Sequence, residues 1–282
     1  MKALLKRIPF IKWILDIRKE LAIARFELSR TTRIQQQIYR EILVRERREM
    51  GCAFPSAFEQ QTFSQNGEDG IIQEICKRLE IKNGFFVELG TGDGSENNTR
   101  LLLESDWKGI WIDGDSNCCK TAEKNLVKFI ADQRLRIYHE HIDAENVNNV
   151  LGAKNIPHQL DMLSIDLDLN THHVWESIDC INPRVLIIEY NGFFPQGMEW
   201  SAEYEPKKYW DGTINMGASL EYIVKISKTK GYELIGCDLT GTNAFLVQSE
   251  DYLKYFNSSS SNHFPYENAR PFLVNDPEHR RI

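Results

Sequence analysis

Gly84-Phe85-Phe86-Val87-Glu88-Leu89-Gly90-Thr91-Gly92-Asp93-Gly94 decides the fold of this chain. An apolar run ends in an acidic residue and opens at once into a glycine-rich turn. A second apolar run, Gly109-Ile110-Trp111-Ile112-Asp113, ends in another carboxylate 25 positions after Glu88. This is how a doubly wound α/β sheet holds a nucleoside. Glycines let the backbone approach the ligand, and the second carboxylate accepts hydrogen bonds from ribose hydroxyls.

The glycine pattern is Gly-x-Gly-x-Gly. The dinucleotide pattern Gly-x-Gly-x-x-Gly would need its third glycine at Ser95. A carboxylate at Glu88 would repel a pyrophosphate. It suits a ligand carrying an ammonium or sulfonium group, and S-adenosylmethionine carries both, with a ribose. Glu88, Gly90, Gly92 and Asp113 are therefore the candidate cofactor-binding residues. The plainer reading of Gly90 to Gly94 is a tight strand-to-helix turn.

Working outward, short apolar runs at 84–90, 109–113, 134–138, 160–166 and 184–189 alternate with helical patterns. These lie near 96–105, 116–131, 144–151 and 171–181. The alternation predicts a parallel sheet with crossover helices. After a helix over 217–230, the runs 232–237 and 244–247 predict a terminal antiparallel hairpin. Asn66 and Asp69 have capping-box spacing for a helix reaching 81. Residues 1–50 form a basic helical arm with apolar residues at helical spacing. Residues 51–62 read as a linker, 63–250 as the main domain, and 251–282 as a tail of low complexity at 258–262, expected to be mobile.

Several blocks resemble FkbM-like methyltransferases. They are Phe63-Ser64-Gln65-Asn66-Gly67-Glu68-Asp69, Phe86-Val87-Glu88-Leu89-Gly90, Asn97-Asn98-Thr99 and the segment from Trp107 to Asp113. Leu163 to Asp168, Pro183 to Asn191, Gly217 to Leu220 and Gly241 to Phe245 continue the similarity, which spans about residues 60 to 250. The resemblance implies a Rossmann-like class I methyltransferase sheet using S-adenosylmethionine. It leaves the acceptor open and points to sugars, surface-glycan substituents or small metabolites.

Ligands of such sheets sit at the carboxyl ends of the strands. After the third strand, Asp143 has two readings: it accepts from the adenine amino group, or it caps the following helix. The fourth strand ends in Asp166-Leu167-Asp168 and the fifth in Glu189-Tyr190-Asn191. Three carboxylates converging would repel unless a positive group sits among them. Asp166, Asp168, Glu189 and Asn191 are thus candidate ligands of a divalent cation such as magnesium, which would hold and activate the acceptor oxygen. The alternative has the aspartates capping a helix and Glu189 binding substrate hydroxyls without metal. Asp166, Glu189 and His173 are the candidate catalytic groups. Neighbouring helical residues point about 100° apart, so His172 and His173 cannot both face the site. Phe193 to Trp210 reads as a lid or acceptor pocket.

Charge is uneven. Residues 1–50 hold 13 Lys and Arg against 6 Asp and Glu, leaving the remainder at −14 within a total of −7. An acidic body excludes a nucleic-acid substrate. The arm reads as a peripheral membrane contact or a homo-oligomer contact. Six scattered cysteines without a Cys-x-x-Cys suggest reduced thiols in a cytoplasm. Two other functions stay open: a nicotinamide-dependent oxidoreductase, and a non-catalytic adenosyl-binding scaffold of a glycan assembly complex.

Overall fold

The computed structural model describes residues 9–49, 55–208, 210, 212–256 and 266–273. The low-complexity stretch 258–262 lies outside the described residues. The chain divides into two compact units, Met1–Leu43 and Val44–Ile282. Helix α1, Pro9–Glu49, runs through 41 residues without a break. No helix among the described residues is long and apolar enough to cross a membrane.

The second unit is built on a seven-stranded sheet. Its strands are β1 (Phe85–Leu89), β2 (Lys108–Asp113), β3 (Leu135–His139), β4 (Gln159–Ile165), β5 (Asn182–Glu189), β6 (Tyr232–Cys237) and β7 (Asn243–Gln248). The spatial order is β3-β2-β1-β4-β5-β7-β6. The first five strands are mutually parallel, and β7 runs antiparallel to both β5 and β6. This is the mostly parallel, Rossmann-like sheet with a C-terminal antiparallel hairpin and an N-terminal helix that the sequence predicts.

The strands read as unbroken apolar runs because both faces are covered. Val87, Leu89, Ile110, Leu163, Ile165, Leu186 and Ile188 point into one layer with Val174, Trp175, Leu220 and Ile223. Phe86, Trp111, Met162, Val185, Ile187 and Phe245 point into the other, with Ile71, Ile75, Leu103 and Phe129. Each such side chain contributes roughly 1.5–3 kcal/mol on burial, so alternate residues of one strand stabilise opposite layers. The chain direction across the sheet reverses between β1 and β4. The carboxyl ends of these two strands part there and leave a crevice.

Two expectations change. Helix α2 is Glu68–Arg78 and starts after Gly67, whose φ is 109°, with no capping box at Asn66. Asp69 turns back to the chain before it: its Oδ2 accepts from the amides of Thr62, Phe63 and Ser64 and from the Ser64 hydroxyl, at 2.7–2.8 Å. The stretch 96–105 is helical only as a 3-10 turn, Leu101–Ser105. Asn98 and Thr99 spend their amides on the Glu88 carboxylate at 3.0 and 3.2 Å, which holds the preceding residues in a loop.

Candidate functional site

Three adjoining cavities open at the carboxyl ends of β1, β2, β4 and β5, and Asp166 lines all three. Gly90 makes their meeting possible. Its φ is +80°, and a Cβ there would stand 1.6 Å from the Asp166 carbonyl oxygen. Only glycine lets the first turn approach the end of β4 so closely.

The first cavity lies between the Gly90–Gly92 turn and the end of β2, walled by Asp113, His141, Ile142 and Leu167. Asp113 Oδ2 accepts from the Gly92 amide at 2.7 Å, and Oδ1 from the Asp115 amide at 2.7 Å. The carboxylate is thereby fixed at the cavity wall, and each oxygen keeps a lone pair for a further donor. Asp143 is absent from this wall. Its Oδ1 accepts from the amides of Glu145 and Asn146 at 3.0 and 2.8 Å, and the Asn146 side chain returns a bond to the Asp143 amide. Asp143 thereby holds the turn that leads into the helix Val147–Gly152, whose N-cap is Asn146. His141 and Ile142, two and one residues earlier, face the cavity instead.

The second cavity is a polar chamber at the end of β1, lined among others by Gln65, Glu68, Glu88, Thr91, Asn97 and Asn243. Glu88 is 3% exposed. It accepts from the Asn98 amide, the Thr99 amide and the Thr99 hydroxyl (3.0, 3.2 and 2.5 Å), and that hydroxyl accepts from the Trp111 indole at 2.8 Å. Burial pushes its carboxyl up to about 7 against these bonds. Glu88 thus braces the Asn98–Thr99 segment after the glycine turn from beneath, with Oε2 taken up by two bonds and Oε1 by one. Glu68 likewise accepts from Asn66 and from the Asn243 amide nitrogen, the latter at 2.9 Å. Three buried oxygens in the chamber have no hydrogen-bond partner: Thr91 Oγ1, Asn97 Oδ1 and Asn243 Oδ1. Among the described residues no Lys or Arg lines it. A chamber of acceptors without a cationic side chain favours a ligand group that is positive and rich in N–H donors.

The sequence reading missed Gln65, Asn97 and Asn243 as site residues. Asn243 begins β7 and Gln65 precedes α2, so their meeting depends on the β7 strand lying beside β5. The available signal was chemical: polar residues in otherwise buried blocks need partners.

The third cavity lies beyond β4 and β5, with Asp166, Asp168, Glu189, Phe193 and Trp210 in its wall. Residues 266–273, within the stretch read as a tail, close one side. The Ala269 amide donates to the Gly192 carbonyl at 2.9 Å, the Arg270 amide to the Thr240 carbonyl at 2.7 Å, and Tyr190 donates its hydroxyl to the Glu267 carbonyl at 2.7 Å. Burial, with Asp168 beside it, pushes the Asp166 carboxyl up to about 6. Burial and the two neighbouring aspartates hold Glu189 well above the usual carboxylate range. Both carboxyls of the pair therefore bind protons more tightly than free carboxylates do.

The expected metal set does not fit. Asn191 gives its side-chain amide hydrogens to the Ile214 and Met216 carbonyls, at 2.7 and 2.9 Å, and its Oδ1 accepts from the Phe193 amide at 3.1 Å. It ties the loop to the end of β5. Among the described residues no three His, Cys, Asp or Glu side chains are arranged to hold an ion. Tighter proton binding by Asp166 and Glu189 eases the repulsion at this end of the sheet.

His173 leaves the catalytic set. On the helix Thr171–Ser177 its Nε2 lies 3.0 Å from the Ala202 carbonyl, and its ring packs edge-on to Tyr204 at 5.1 Å, away from all three cavities. His172 is fully buried, and burial lowers its imidazole to about 3. In the long loop, Phe193 and Trp210 reach the third cavity, whereas Trp200 stacks on Phe194 at 4.3 Å and Tyr204 accepts from the Ala144 amide at 3.2 Å.

No family model matches the chain, and no curated protein matches its sequence. Among solved structures it is similar to magnesium protoporphyrin IX methyltransferase from Synechocystis PCC 6803, crystallised with bound SAM. The identity is 12%, over 66% of this chain and 79% of that one, with a TM-score of 0.44. It is also similar to a S-adenosylmethionine-dependent methyltransferase from Clostridium acetobutylicum, at 13% identity over 67% of this chain and 93% of that one, TM-score 0.40. Both neighbours are SAM-dependent methyltransferases. Similarity at this level carries none of the functional argument, which rests on the cavities themselves.

Proposed function

We propose that this chain is an FkbM-like enzyme that transfers the methyl group of S-adenosylmethionine to a small hydroxyl-bearing acceptor. The acceptor class is a sugar, a surface-glycan substituent or a small metabolite. The observation that carries the reading is the acidic, acceptor-rich chamber at the end of β1, adjoining the cavity where Asp113 stands beside Gly92. Asp113 would take the ribose hydroxyls, and His141 and Ile142 would flank the base. Thr91, Asn97 and Asn243 would supply acceptors to the ammonium group through the three oxygens that lack partners. When bound, the cofactor supplies a methyl group already activated on a positive sulfur.

What the protein adds is alignment and proton removal. Phe193 and Trp210 present aromatic faces to a sugar ring or an aliphatic acceptor. Asp166, ionised above about pH 6, accepts the acceptor's proton, with Glu189 beside it in the same cavity wall. The acidic walls of the chamber disfavour a nicotinamide dinucleotide, whose pyrophosphate would meet Glu68 and Glu88 with no cation beside them. The five described cysteines are free thiols, in keeping with work in a reducing cytoplasm.

The test is release of S-adenosylhomocysteine over a panel of saccharides and hydroxylated metabolites. Acceptor-dependent release that falls at least ~100-fold in Asp166→Asn supports the reading. Cofactor binding with no turnover across the panel supports the scaffold instead.

A further inference from the structure

Within the unit Met1–Leu43 the helix α1 exposes many of its large apolar side chains. Leu21 is 55% exposed, Leu28 69%, Ile38 53% and Ile42 48%. Monomeric proteins rarely leave such a stripe in water. The stripe has a period. Ile14, Leu21, Leu28, Gln35 and Ile42 recur at one heptad position, and Ile17, Ala24, Thr31 and Ile38 recur three residues later. That is the a and d pattern of a coiled-coil seam, with a single polar residue, Gln35, at an a position.

The charges beside the seam have a sense. One flank, the g positions, carries Glu20, Glu27 and Glu41 with Trp13 and Ile34; the other, the e positions, carries Arg18 and Arg25 with Thr32 and Tyr39. In a parallel pair each g residue faces the e residue five positions on in the other helix. Glu20 then meets Arg25 of the second copy, twice by symmetry. An antiparallel pair would set g against g and e against e, so glutamates face glutamates and arginines face arginines. A lipid surface is a poorer occupant, because anionic headgroups would meet three glutamates along one border of the stripe. Ile23 and Phe26 lie off the seam and take no part in it.

We infer that α1 pairs with α1 of a second copy of this chain as a parallel, in-register two-stranded coiled coil over residues 14–42. Gln35 opposite Gln35 penalises slipped registers.

The test uses the full chain. Light scattering at micromolar concentration should give a dimer, and Leu21→Glu with Leu28→Glu should give a monomer. Glu20→Lys alone should weaken the dimer about fivefold, and adding Arg25→Glu should restore it, because the swapped charges again face each other. Leu21→Cys should form a disulfide-linked dimer on oxidation that the unaltered chain does not form. A monomer at every concentration overturns the inference, with or without pelleting on phosphatidylserine vesicles. So does a dimer indifferent to Leu21→Glu with Leu28→Glu, a failure of Arg25→Glu to restore Glu20→Lys, or no cross-link in the Leu21→Cys variant.

Discussion

At the scale of single residues, the site is organised by which carboxylates keep free lone pairs. Glu88 and Asp238 are engaged by backbone amides, Asp238 accepting from Thr240, Thr242 and Asn243, while Asp69 commits Oδ2 to three amides and keeps a buried, unpartnered Oδ1. Asp113 and Asp166 remain directed at cavities. Glu189 lines only the third cavity, so Glu189→Gln should lower turnover by ~100-fold while leaving S-adenosylhomocysteine affinity unchanged. Steady-state kinetics beside a binding titration separate the two; equal loss in both would place Glu189 in the cofactor site. Because Asp166 must be ionised to take a proton and its carboxyl sits at about 6, kcat should climb as pH rises through about 6. A profile flat from pH 5 to 8 would remove Asp166 as the base.

At the scale of elements, the decisive joints are the turn after β1 and the segment leading into α2. Gly90→Ala asks for a left-handed alanine whose Cβ meets the Asp166 carbonyl. It should separate β1 from β4 and cost more than ~3 kcal/mol, read as a lowered urea midpoint. Asp69→Ala strips acceptors from three amides at once and should cost at least ~2 kcal/mol, weakening cofactor binding because Gln65 sits in the freed loop. Unchanged stability would contradict its bracing role. The elements differ in how legible they were. Asp113 and the glycine turn could be read because each follows its strand directly in sequence. His173 and Asn191 were misread, since their types suit chemistry while their orientations are set by remote partners. The Ala202 carbonyl claims one, and the Ile214 and Met216 carbonyls claim the other. No local pattern announces such partners. The chamber of Gln65, Asn97 and Asn243 was hidden for the same reason: it joins three segments that only the folded sheet brings together.

At the scale of the molecule, the sheet was the most legible feature, because two-sided burial writes itself into every strand as an apolar run. Its cost is visible in the buried acids. Glu88 is raised from 4.5 to about 7, and Asp166 and Asp238 from 3.8 to about 6. Each binds its proton more tightly folded than unfolded, so stability is lost as pH rises from about 4 through about 7. The urea midpoint should be higher at pH 5 than at pH 7.5, and a midpoint that rises over that interval would show that other groups outweigh these three.

Everything proposed for the site depends on the cavity lined by Gly92 and Asp113, with the chamber beside it, holding an adenosyl cofactor. Calorimetric titration of the full chain with S-adenosylhomocysteine tests it most directly. Binding should be saturable and should weaken about 10- to 100-fold in Asp113→Ala, the loss of a charge-assisted hydrogen bond to ribose. Absence of binding to the folded protein, or equal affinity in Asp113→Ala, would contradict it.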